Sequence, residues 1–251
     1  MPLAVGLFRE VRAELNSLEV RAVTDLAGKA RADCLGTGLT ELGMLPLISL
    51  QATEFVPGAD AVRSLTAKLH SEVEHNLALP GSIQTIADYR CWLFRFFGIY
   101  QPLEHLLSCF AGWTETGIRI DQLGHTGALL KDLKAMVCDL DDVELAPRGA
   151  LPMIETLGQA FGALYVLEGS KLGGRYILKD LSNRLGSDIE GMDAFFTGYG
   201  SDTAVRWASF KGSLDKFSAL RPLEFPEVIA GARMTYAAID AWMSPLADSC
   251  A

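Results

Sequence analysis

The 251-residue chain has no surplus of positive charge: 22 lysines and arginines face 31 aspartates and glutamates, for a formal net charge of −9. A nucleic-acid partner needs a basic face for its phosphates, so that class is excluded, whereas a small anionic ligand is admissible where basic residues cluster. No apolar run reaches the roughly eighteen residues of a membrane-spanning helix. The opening MPLAVGLFREVRAEL has no basic segment ahead of an unbroken apolar one, and the expectation is a cytoplasmic protein. Cysteine is scarce. Cys34, Cys91, Cys109, Cys138 and Cys250 never form a C-x-x-C pair, which leaves reduced, structural thiols. G-x-S-x-G, P-loop and H-E-x-x-H patterns are missing, so hydrolase and nucleotide chemistry have no support. Runs of alternating β-branched residues are nearly absent too, and the fold class that remains is all-α.

What is present is a chain that is 49% hydrophobic, enough to bury a substantial core as one domain or one domain plus an extension. A first amphipathic helix is expected over 5–29, and the glycine- and proline-bearing stretch 34–59 reads as a connector. The chain then divides into an extension over 1–59, to which no role is assigned, and a main domain over 60–251. Asp60 is the expected N-cap of a helix running to Leu79, where Pro80-Gly81 stops it. A second helix is expected from Ser82, bent or broken by Pro102. Further helices are expected at 121–140, 153–185, 207–220 and 226–243, with an acidic loop at 141–152 and Gly186 closing the longest helix.

That longest helix holds five glycines between 158 and 174, and Gly158, Gly162, Gly169 and Gly173 share one stripe. Each interior glycine costs roughly 1 kcal/mol against alanine, so something must approach this backbone closely. Helix packing is one candidate, mainly for Gly158 and Gly162. A flat ligand is the other, mainly for Gly169, Gly173 and Gly174, and the adjacent pair Gly173-Gly174 is expected to kink the helix.

His70 has the most suggestive neighbours among the histidines. Arg63, Thr66, His70 and Glu74 lie one or two turns apart on one helical stripe, so a neutral imidazole could ligate a metal there, with Arg63 open to a ligand carboxylate. A solvated histidine beside an ordinary ion-pair row is the alternative reading. His75, His105 and His125 read as structural or surface residues. Glu72 and His75 form one Glu-x-x-His step of the di-iron kind, but no second copy exists.

Taken in order, LTAKLHSEVEHNL, Tyr89 with YQPLE at 100–104, LYVLEGSKLGGRYI at 164–177, FFTGYG at 195–200 and WASFKGSL at 207–214 resemble the haem oxygenase family. The likeness is closest to the bacterial type associated with bacteriophytochromes and spans about 61–220. It implies a multi-helix bundle with haem b as both cofactor and substrate, cleaved to biliverdin, CO and ferrous iron with O2 and electrons from an external donor such as ferredoxin or a flavoprotein reductase. A bacteriophytochrome would be a biliverdin acceptor.

The same resemblance makes His70 the axial ligand, with Thr66 beside it on its stripe and Glu74 at the haem edge. It lays Gly169, Gly173 and Gly174 over the opposite face. Arg63 and Lys211 are its first candidates for the propionates, with Arg175, Lys68 and Arg206 behind them. Ser170 stands where animal members carry an aspartate that organises proton delivery, so the proton route here must differ. A haem-binding or regulatory module without turnover is the main alternative, and a non-haem di-iron oxidase a more distant one.

Overall fold

The computed structural model describes residues 57–249, and the expected helix over 5–29 and nearly all of the connector lie outside that range. Among the described residues the elements are helical: α1 Ala59–Leu77, α2 Ile86–Ser108, α3 Trp113–Thr116, α4 His125–Ala135, α5 Leu157–Leu185, α6 Ala194–Thr197, α7 Thr203–Leu220 and α8 Phe225–Ser249, with short 3-10 turns between them. The all-α expectation holds.

α5 and α8 form the central pair, and glycine decides how closely they meet. A Cβ on Gly162 would collide with the Val228 carbonyl and the Ala232 amide, and one on Gly231 would collide with the Gln159 carbonyl. Gly158 is tight against Glu227, at 2.9 Å. Each glycine costs about 1 kcal/mol of helix stability. Burying one Val, Leu or Phe side chain returns about 1.5–3 kcal/mol, and the close approach buries Phe161, Val228 and Ala232. The packing reading of Gly158 and Gly162 is therefore the structural one.

α1 and α2 lie against α8, α4 against α2, and the short α6 bridges α4 and α5. α6 is held by Asp132 of α4, which is buried and accepts hydrogen bonds from the Ala194 and Phe195 amides, each at 2.8 Å. Burial pushes the Asp132 carboxyl up, and those two amides oppose the rise.

Several boundaries differ from expectation for local reasons. Gly58, not Asp60, is the N-cap of α1, and the Ala59 amide, which has no partner within the helix, donates to Asp215 Oδ1 of α7 at 2.8 Å. α2 starts at Ile86 because Thr85 and Asp88 close a reciprocal capping box. Pro102 does not break α2. It removes the donor that Gly98 O would have received, and the Ala146 amide replaces it at 2.8 Å. The helix expected over 121–140 shrinks to His125–Ala135, since Val137 turns to φ 55°. α5 begins at Leu157, capped by Thr156, and runs uninterrupted through Gly173-Gly174, where a kink was expected.

Gly162→Ala should destabilise the protein by about 1–3 kcal/mol through overpacking. Gly127→Ala on α4, where nothing stands within 4 Å, should instead stabilise by about 0.4–1 kcal/mol. Thermal melts of the two variants should move in opposite directions, and an unmoved Gly162→Ala melt would refute the contact.

Candidate functional site

The glycine stripe of α5 continues past α8. Where Gly158 and Gly162 are closed off, a Cβ on Gly173 would meet nothing within 4 Å, and one on Gly169 would meet only Trp207 Cη2 of α7, at 3.6 Å. Leu172 and Tyr176 share this uncovered side and are exposed. Gly174 belongs elsewhere: a Cβ there would lie 2.6 Å from Phe196 O, so its glycine is already required by α6. The adjacent pair thus answers two separate demands.

The α1 stripe lies across an aromatic floor. His70 is half-exposed, its Nδ1 3.4 Å from Glu74 Oε2, and no described residue bonds its Nε2. Its ring stands edge-on to Tyr236 of α8, with centroids 5.9 Å apart. Thr66 is buried and donates to Val62 O at 2.7 Å. Tyr165 of α5 stacks beside Trp207 at 5.3 Å, and Trp207 beside Phe210 at 5.6 Å. Burial pushes the Tyr236 and Tyr165 phenols up, which keeps this floor neutral. His70 and the open glycines are thus linked through buried Tyr236 and Tyr165 and half-buried Trp207.

The basic residues separate. Arg63 is one turn beyond Ala59, and Lys211 one turn before Asp215, so both lie on the sides of α1 and α7 that meet at the Ala59–Asp215 bond. Arg175 is exposed on α5 next to the glycine pair. Lys68 pairs with Glu72 at 3.5 Å. Arg206 points to another place: its guanidinium covers the Tyr199 ring at 4.1 Å and donates to Gln122 O. It lines a cavity of about 190 Å³ with Glu168, Tyr199 and Phe210. Pockets for drug-sized ligands run to about 300–1,000 Å³, so this cavity is too small for a tetrapyrrole.

Behind Ser170 lies a polar cluster that sequence reasoning missed. Ser170 Oγ donates to Leu167 O at 2.7 Å and accepts from Tyr100 OH at 3.2 Å. His125, fully buried, reaches the same Leu167 carbonyl from Nε2 at 3.0 Å, and its Nδ1 is 2.7 Å from Glu104 Oε1. Glu104 also accepts from the His125 and Thr126 amides, both at 3.1 Å. Burial works to raise the Glu104 carboxyl, but the bonds from His125 and Thr126 outweigh it and hold the group below the usual range. Tyr199 OH donates to Glu168 Oε1 at 2.9 Å. Buried Lys171 stacks on the Tyr199 ring at 3.8 Å, and desolvation brings its amine down to about 8. Burial likewise pushes the Tyr100 phenol up to about 12, so it serves as a neutral donor. Tyr100 and Glu104 fall in the YQPLE segment and Glu168 in the glycine-rich one, but no motif ties these segments to His125. Only the fold does.

Among the described residues no group of three or more His, Cys, Asp or Glu side chains gathers as a metal cage, and no helix is long and apolar enough to cross a membrane. The family model for heme oxygenase matches residues 57–244, and the chain belongs to that family. A search of curated proteins returned no match.

Because the folded Glu104 carboxyl is held low, its stabilisation is fully present above the ordinary glutamate value of 4.5 and is lost as pH falls through the folded value. Glu104→Gln should cost about 1–3 kcal/mol at pH 7. The gap from the unmodified protein should narrow below pH 4.5, and a gap that is constant in denaturant titrations from pH 7 to pH 3 would refute the charged role.

Proposed function

We propose that this protein is a haem oxygenase, of the bacterial type associated with bacteriophytochromes, that holds haem b between His70 and the Gly169 to Gly173 face of α5. The products are biliverdin, CO and ferrous iron, and electrons come from an external donor such as ferredoxin or a flavoprotein reductase. The supporting observation is the uncovered stretch at Gly173, where the glycine stripe loses its packing partner but keeps its glycines. Haem supplies the oxidation chemistry when bound.

The chain's own residues do the rest. His70 would hold the haem through Nε2, with Glu74 beside Nδ1 to orient the ring. Trp207 and Tyr165 exclude water along one edge, and Arg63 and Lys211 meet the propionates, with Arg175 at the open end. The bare surface at Gly169 and Gly173 would leave room for a small diatomic ligand beside the bound haem. Ser170 offers a hydroxyl there whose proton is directed into Leu167 O while Tyr100 holds its oxygen. Gly174 serves this surface indirectly, by letting α6 seat against α5.

Haemin titration followed by ascorbate or a reductase tests the reading. A biliverdin band supports the enzyme, a stable ferrous haem spectrum would point to a binding module, and iron without a Soret band to a di-iron protein. His70→Ala should lose the axial-ligand spectrum and regain it in part with added imidazole, while the apo-protein melts normally. An unchanged ferric spectrum would reject His70. Gly173→Leu should leave the apo melt unchanged or raised by several tenths of a kcal/mol, since leucine is the better helix former. It should lower haem affinity or biliverdin formation, and a destabilised apo-protein with normal turnover would count against a haem-facing Gly173.

A further inference from the structure

The mechanism leaves one fully buried histidine without a task. His125 opens α4 and has no solvent exposure. A buried imidazole loses its hydration, so each of its nitrogens needs a protein partner. Both have one here. Nδ1 meets Glu104, which is itself fixed by two amides of the first α4 turn, and Nε2 meets the Leu167 carbonyl. The Leu167 carbonyl and the ionised Glu104 carboxylate both only accept, so each ring nitrogen donates in its own contact, Nε2 to Leu167 O and Nδ1 to Glu104.

Leu167 O also accepts from Ser170 Oγ, at 2.7 Å. Ser170 and His125 therefore share one acceptor. The carbonyl fixes the direction of the Ser170 O–H bond, and Tyr100 OH takes a lone pair of the same oxygen. The Tyr100 ring also lies against the His125 ring, centroids 5.3 Å apart. Glu104 and Tyr100 sit one turn apart on α2, so one helix supplies both the anchor for His125 and the donor to Ser170.

We propose that His125, anchored by Glu104, is a positioning residue: by donating to Leu167 O it fixes the turn of α5 that carries Gly169 and Ser170, and with it the orientation of the Ser170–Tyr100 hydroxyl pair toward the ligand face. Where the familiar aspartate is replaced by Ser170, a short side chain has little reach of its own, and the turn beneath it sets where its hydroxyl points. The inference rests on the haem oxygenase reading for the meaning of that face, but its first test does not need haem.

In the apo-protein, His125→Leu should speed amide hydrogen exchange at residues 169–173 by at least about tenfold more than in the α1 and α8 core. His125→Gln, which keeps a nitrogen donor near Nε2, should recover most of that protection. Should His125→Leu fail to fold, Glu104→Gln provides the contrast, because it loosens Nδ1 while leaving Nε2 in place, and a smaller local acceleration is expected. Nitrogen NMR of the unmodified protein should find Nε2 protonated. With haemin bound, reduced and exposed to CO, the C–O stretch should shift in His125→Leu and return in His125→Gln.

Uniform acceleration across the protein, no change at 169–173, no rescue by glutamine, an unprotonated Nε2 or an unmoved C–O stretch would each overturn the assignment. If the chain takes no haem at all, the functional reading fails on that result. The exchange and NMR measurements still decide the role of His125.

Discussion

The backbone-to-backbone contact of α5 with α8 is the constraint on which the rest depends. Gly158, Gly162 and Gly231 let the two helices touch where any side chain would hold them apart. α8 carries Tyr236, against which His70 rests, and α5 carries the glycines that remain bare beyond the contact. One helix pair thus sets both walls of the site, and the same residue type serves packing at one end of the stripe and openness at the other.

Electrostatics is organised at two depths. The chain as a whole is acidic, while on α5 an exposed arginine, Arg175, stands next to the glycine pair. Behind α5, Glu104, Glu168, His125, Lys171 and Arg206 are drawn into one partly buried group with Tyr199. Low dielectric makes each unpaired member costly and each paired one directional. Such a group resists rearrangement.

Helix identity was legible in the sequence because apolar periodicity and glycine or proline punctuation act over a few residues. The stripe of Gly158, Gly162, Gly169 and Gly173 could be read as a surface of close approach, and the His70 row as one face. What could not be read came from partners distant in sequence. Pro102 looked like a breaker because nothing nearby could satisfy Gly98 O, and the amide that does so belongs to Ala146. Asp60 looked like a cap because the true acceptor, Asp215, lies over 150 positions away. Gly174 looked like part of the ligand face until Phe196 O was found against it. His125 carries no motif and Glu104 was read only as part of YQPLE; only the crossing of α2, α4 and α5 brings them together at Leu167.

The central claim is that a flat ligand lies between the His70 stripe and the open half of the α5 glycine stripe. The most direct measurement is amide hydrogen exchange with and without one equivalent of haemin. Protection should rise over residues 66–74 of α1 and 169–176 of α5, with the cavity residues Ile118, Arg119 and Phe210 unchanged. Protection centred on that cavity, or spread evenly over the bundle, would contradict the claim.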